Sequence, residues 1–203
     1  AIDRVHERAA ELLQPGRTER EIADELHALI LEEHANVQFV IVGSGPNGSN
    51  PHHDFSDRVL EEGDPVVVDL GGALPSGYQS DCTRTHVVGE VSKAPQDFLE
   101  AYAVLERAFD AACQAAKPGI TAGELDAAAR DVIADAGYGE YFTHRLGHGI
   151  GLSGHEQPFI IAGSDVVLRE GMAFSIEPGI YVPGKWGMRI EDIVRMTASG
   201  IET

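Results

Sequence analysis

Ser56–Gly63 reads SDRVLEEG, and Ser164–Gly171 reads SDVVLREG. Ser, Asp, Val, Leu, Glu and Gly recur at matching positions without a gap, so the chain writes one local frame twice. Each copy then enters an apolar run that ends on a carboxylate: Val66-Val67-Val68-Asp69 in the first, Ala173-Phe174-Ser175-Ile176-Glu177 in the second. Another carboxylate follows in each, Asp81 and Glu191. Any one of these acids alone reads as a strand end facing water. Four placed by one duplicated frame read as the walls of a metal site.

Working outward, the repetition widens. Pro15-Gly16-Arg17-Thr18 with Glu21 returns as Pro118-Gly119-Ile120-Thr121 with Glu124, each a helix breaker followed by a capping box. Ile2, Val5, Ala9, Leu12 and Leu13 mark one face of a helix over Ile2–Gln14, and Ile22, Leu26, Leu29 and Ile30 mark the next. The second breaker lies between a helix from Pro95 to about Ala116 and another to about Ala136. Strands are expected at Phe39–Val42, Val66–Leu70, Asp81–Val88, Ala173–Ile176, Gly179–Val182 and Met188–Met196. Each half reads helix, turn, capped helix, histidine-bearing segment, carboxylate hairpin. A unit of this size present only twice predicts one pseudo-symmetric α+β domain with halves of about 1–90 and 91–203, not a solenoid.

The 203 residues suffice for a core without disulfide or metal staples, and 43% hydrophobic with 24% charged residues is ordinary for a folded chain. Asp and Glu outnumber Lys and Arg 33 to 15, a formal charge of -18, which argues against a nucleic acid or an anionic membrane as partner. Cys82 and Cys113 are too few for a disulfide framework and are not spaced as a zinc motif, which reads as two reduced thiols in a cytoplasmic protein. No apolar run reaches the length of a membrane helix, and no signal peptide opens the chain. Ala1 already lies inside a helical pattern, which predicts further sequence upstream.

Asp69 and Asp81 fall on strands joined by a tight connection. Facing residues of an antiparallel pair stand roughly 5 Å apart at Cβ. Two such carboxylates repel, and one protonates unless a cation lies between them. His144–Glu156, HRLGHGIGLSGHE, adds nitrogen, with His148 flanked by Gly147 and Gly149 and with Ile150 and Leu152 alternating as in extended chain. Four carboxylates and one imidazole form a hard donor set that suits two divalent ions about 3.5–4 Å apart. Such a pair activates water and polarises a carbonyl, which amide hydrolysis requires. Gly43–Gly48 superficially suits a phosphate, but no Lys-Ser/Thr pair follows and Pro46 lacks an N–H, so it reads as a loop delivering His52.

In order along the chain, Val66–Gly72 with Ser80-Asp81-Cys82-Thr83-Arg84-Thr85, Gly147-His148-Gly149-Ile150-Gly151, Ser175-Ile176-Glu177-Pro178-Gly179 and Arg189-Ile190-Glu191-Asp192 resemble the signatures of the pita-bread metallopeptidases. That family includes methionine aminopeptidase, aminopeptidase P and prolidase, and the resemblance covers essentially the whole chain. It implies an internally duplicated, curved, mainly antiparallel sheet with helices on its outer face. It implies metal ligation by Asp69, Asp81, His148, Glu177 and Glu191, with Asp81 and Glu191 bridging two divalent ions. Manganese is the expected metal, though Co, Zn and Fe accept the same donors. By the same likeness His52, His155 and Glu177 are catalytic, Glu177 as proton shuttle, while His144, His155 and Arg189 bind substrate.

His144, four residues before His148, and Arg189, two before Glu191, resemble the proline-specific branch, as does Asn47–His53, NGSNPHH. The expected substrate is a dipeptide or short peptide with proline at the second position, and Arg189 is expected to steady Glu191 or the product end. Two departures stand out. The interval from Asp69 to Asp81 is one residue longer than the family's usual spacing, which the Leu74-Pro75-Ser76-Gly77 turn is expected to absorb; an extra residue within a strand would turn Asp81 to the opposite face. The amino-terminal domain usual in proline-specific members is absent, so the chain is expected to be a catalytic domain; the resemblance allows a homodimer. Two alternatives stay open, a methionine aminopeptidase and a non-catalytic peptide- or protein-binding relative.

Overall fold

Both Thr-x-x-Glu pairs close as reciprocal caps in the computed structural model, which describes residues 1–203. The helices are α1 (Ile2–Leu12), α2 (Glu19–Glu33), α3 (Gln96–Ala115) and α4 (Ala122–Asp135). Thr18 caps α2 and Thr121 caps α4, each accepting the N–H of the glutamate three residues on while that glutamate takes the threonine N–H. The repeated octapeptides pin these capped ends. Val59 bridges Thr18 and Val167 bridges Thr121, and Leu60 and Leu168 beside them are wholly buried. One frame written twice therefore builds one helix-anchoring device twice.

The strands are β1 (Asn36–Ser44), β2 (Pro65–Ala73), β3 (Gln79–Val87), β4 (Gly147–Gly149), β5 (Glu156–Ile160), β6 (Ala173–Ile176), β7 (Gly179–Val182), β8 (Trp186–Arg189), β9 (Asp192–Thr197) and β10 (Gly200–Glu202). They form sheets ordered β1-β2-β3, β10-β9-β6-β4-β5 and β7-β8, and every ladder is antiparallel. β3 joins the second half where the Glu191 N–H bonds the Thr83 carbonyl at 3.1 Å and where Arg189, at the end of β8, exchanges backbone bonds with the Thr85 hydroxyl. Alternate residues of β1 to β3 (Val40, Val42, Val66, Val68, Leu70, Cys82) pack with α1 and α2 in one core. A second core joins α3 and α4 to β5, β6, β8 and β9. The result is an α+β domain whose helices cover one face of antiparallel sheets, the arrangement that the resemblance implies.

Several expectations are corrected. Gln14 lies beyond α1. The strand expected over Met188–Met196 is broken at Ile190 and Glu191, where the chain leaves β7-β8 to join β6, and the Ile190 N–H turns to the Pro178 carbonyl. Extended chain ends at Gly149 and gives way to bends, so Leu152 points to solvent. Asp69 and Asp81 do not face each other: Asp69 pairs with Thr83 and Asp81 with Gly71, a two-residue diagonal that keeps both acids on one face. That ladder runs without a bulge from Pro65–Val87 to Ala73–Gln79. Any extra length therefore lies in the turn 74–78, which closes with a bond from the Gly77 N–H to the Leu74 carbonyl.

Candidate metal centre

Asp69, Asp81, His148, Glu177 and Glu191 all line one cleft of about 470 Å³, together with His52, His144, His155 and Arg189. β2 and β3 contribute the two aspartates on the face opposite α1 and α2. Ile176 pairs with Asp192, so the next residues outward, Glu177 and Glu191, oppose each other just past the end of that ladder. β4 brings His148 between β5 and β6, and the flanking glycines permit it: a Cβ on Gly147 would overlap the Ser175 carbonyl, and one on Gly149 the Gln157 carbonyl. Ligand atoms of Asp81, His148 and Glu191 lie within 4.8 Å of one another.

The charges call for a cation. The Nδ1–H of His148 faces the Gly149 carbonyl at 3.0 Å, which aims Nε2 at Glu177 Oε1 (3.2 Å) and Asp81 Oδ2 (3.7 Å). Something positive must lie between those atoms, a proton or a metal ion. Burial, then the charges of Asp69 and Glu177, push the Asp81 carboxyl well up; burial, then Asp81, push Glu191 up. Asp69 Oδ1 and Glu191 Oε1 are buried with no hydrogen-bond partner. Two unpartnered buried carboxylate oxygens in a cleft where Asp81, Glu191 and His148 also bring ligand atoms together fit divalent metal ligation better than a single shared proton.

Bonds from the rest of the protein fix these donors. The Ser175 hydroxyl accepts the His148 N–H at 2.9 Å and donates to Glu177 Oε1 at 2.9 Å. Thr83 Oγ1 donates to Glu191 Oε2 at 2.7 Å, and Arg84 holds the Glu191 carbonyl and the Asp192 carboxylate. Arg189 is buried, and it pairs directly with Asp69 (2.6 Å), not with Glu191. It reaches Glu191 only through the hydroxyl of Thr83, which accepts its Nε–H at 3.0 Å.

His144 also differs from expectation in detail. Its Nδ1–H donates to the Arg145 carbonyl, and its Nε2 accepts from the Tyr181 hydroxyl, which in turn accepts from Arg189. Both ring nitrogens are thus occupied within the protein, and burial pushes the imidazole down to about 4, so it is neutral at pH 7. His155 is exposed and stacks on His148 with ring centroids 4.1 Å apart. Burial, followed by His148 and Arg145, lowers its pKa. His52 is exposed at the rim.

Sequence reading passed over several participants. Asp126, wholly buried on α4, takes the Leu146 N–H and two bonds from Arg130 Nε and Nη2, while Arg130 Nη1 holds the Phe142 carbonyl and Nη2 also holds that of His144. This pair fixes the segment that leads into β4. Arg145 lines the cleft over the Phe159 ring, 4.8 Å from its centroid, and its buried Nε has no partner. An (i, i+4) Asp-Arg pair was the available signal for Asp126 and Arg130; Arg145 had none.

Fold and donor set together define a metallohydrolase framework. The sequence profile described as metallopeptidase family M24 matches residues 1–198. The chain is 59% identical over 201 residues to the probable dipeptidase PepE of Mycobacterium tuberculosis, covering 98% of this chain and 53% of that protein. The crystal structure of dipeptidase PepE from Mycobacterium ulcerans superposes with a TM-score of 0.95 at 56% identity, covering 100% of this chain and 54% of the other. Prolidase from Pyrococcus furiosus gives 0.94 at 43% identity, covering 99% and 59%. The chain belongs to metallopeptidase family M24, and it spans about half the length of these relatives.

Proposed function

We propose that this protein is a dinuclear-metal exopeptidase that hydrolyses the Xaa-Pro bond at the amino terminus of a dipeptide or short peptide. The observation that carries the reading is the convergence of Asp69, Asp81, His148, Glu177 and Glu191, two of them with orphaned buried oxygens, on one open cleft. These five would hold two divalent ions, manganese first among the candidates. When bound, such ions act as Lewis acids on the scissile carbonyl and lower the pKa of an attacking water.

The chain's own groups supply the rest. Glu177 Oε1 is engaged by Ser175 and His148, which leaves Oε2 to take the proton of the attacking water and return it to the leaving imide nitrogen. His155 makes no hydrogen bond within the protein; neutral at pH 7, it can donate an N–H to the developing oxyanion. His52 lines the same cleft. Arg189 is committed to Asp69, so the free guanidinium of Arg145 is the group left to receive a substrate carboxylate. That favours dipeptides, in keeping with the name dipeptidase borne by the PepE relatives and prolidase by the Pyrococcus protein. Residues 1–203 then act as one catalytic domain.

A metal-reconstituted assay tests this, with bound metal quantified by elemental analysis. Ala-Pro should be cleaved faster than Ala-Pro-Ala, and both faster than Met-Ala-Ser. Preferential cleavage of Met-Ala-Ser would replace the reading with a methionine aminopeptidase. Two bound ions with no cleavage across the panel would point to a binding relative.

A further inference from the structure

Glu19, the first residue of α2, is wholly buried, and the proposed reaction does not use it. Its Oε1 accepts from the Ser44 N–H (2.8 Å), the Ser44 hydroxyl (2.7 Å) and Asn47 Nδ2 (3.0 Å). Its Oε2 accepts from His53 Nε2 (2.9 Å), the Ser56 N–H (2.8 Å) and the Ser56 hydroxyl (2.7 Å). Burial pushes this carboxyl up, yet the bonds from His53, Ser44 and Ser56 outweigh it and hold the group below its ordinary value. Ser44 closes β1 and Ser56 opens the first octapeptide. One carboxylate therefore grips both ends of segment 44–56, with Asn47 and His53 secured between.

The helix frame does not need this anion. After Thr121, the equivalent place at the start of α4 is Ala122, and the capping box there is the same. What distinguishes the first half is the segment itself, which carries Pro51 and His52 to the cleft. Its far side is set against the second half: Arg189 reaches the Pro51 carbonyl at 3.4 Å, and a Cβ on Gly187 would overlap the Gly48 carbonyl.

We propose that Glu19 is a positioning residue for His52, a buried anion whose hydrogen bonds fix segment 44–56 so that the His52 imidazole stands at the mouth of the cleft. This rests on the peptidase reading above. A double-mutant cycle on the full manganese-loaded chain tests it with Ala-Pro as substrate: Glu19→Gln, His52→Ala and the two combined. Glu19→Gln should lower kcat about tenfold with metal content unchanged, while the same change in the His52→Ala background should cost less than about twofold. Amide exchange across 44–56 should accelerate in Glu19→Gln and not in His52→Ala.

His53→Leu, which removes one bond at a half-buried partner, should show a smaller loss with the same dependence on His52, and it serves if Glu19→Gln does not fold. Wild-type kcat in Glu19→Gln, or an equal loss with and without His52, would overturn the proposal. If the wild-type chain cleaves no peptide, the peptidase reading fails by itself, and unaltered amide exchange in Glu19→Gln would still overturn the anchoring.

Discussion

A buried carboxylate must be hydrogen-bonded, protonated or next to a cation, and this molecule uses different answers in neighbouring places. Glu19 is saturated with donors, whereas Asp69 and Glu191 each keep a buried oxygen with none. Asp81→Ala should therefore abolish metal uptake and turnover together, and Ser175→Ala, which frees the His148 N–H and Glu177, should weaken metal affinity roughly 10–100-fold. Elemental analysis and Ala-Pro hydrolysis read both; full activity in Asp81→Ala would remove that residue from the centre. Glu19 answers to pH instead. Its folded pKa lies below the ordinary 4.5, so its contribution is complete above that value and drains away as pH falls towards the folded pKa. In urea titrations from about pH 5 to pH 3 the wild type should lose more stability than Glu19→Gln, and parallel curves would contradict this. The cleft acids were legible because the duplicated frame singled them out. Glu19 and Arg84 were not, since their partners lie far away in sequence: Glu19 bonds Ser56 across 37 positions, and Arg84 bonds Asp192 across 108.

At the scale of the element, local chemistry was readable and strand partnership was not. The capping boxes sit where Thr and Glu spacing put them because each closes within one turn of chain. The split at Ile190–Glu191 and the short strands β5 and β10 depend on which distant strand offers free carbonyls, and periodicity over so few residues carries no such information. β4 is wedged tightly between β5 and β6 with His148 at its centre. Gly147→Ala would drive a methyl into the Ser175 carbonyl, whereas Gly154 has open space around its Cβ position. Overpacking of this kind costs typically about 1–3 kcal/mol. Denaturant unfolding should place Gly147→Ala in or above that range with weakened metal binding, and Gly154→Ala within about 0.5 kcal/mol of wild type. Equal stability of the two variants would mean that β4 yields easily and that the glycines do not set the position of His148.

At the scale of the whole molecule, two cores with their own helices meet across the cleft. Asp69 and Asp81 come from one, and His148, Glu177 and Glu191 from the other, so the acids of each half confront those of its partner. The polar links that cross nearby, Arg189 to Asp69 and Arg84 to Asp192, neutralise only part of that charge. Ions held by both halves would then act as a clasp, and their binding energy would appear as stability. For a ligand binding only the folded chain, a hundredfold excess over Kd contributes about 2.7 kcal/mol. In a chain of this size each kcal/mol moves Tm by roughly 2–4 °C, so saturating manganese should raise Tm by about 5–10 °C over the chelator-treated protein. Asp81→Ala, lacking a donor from the first half, should show little of this rise. An equal manganese shift in Asp81→Ala and wild type would place the ion elsewhere, and no shift in either would mean that the two halves are held together without it.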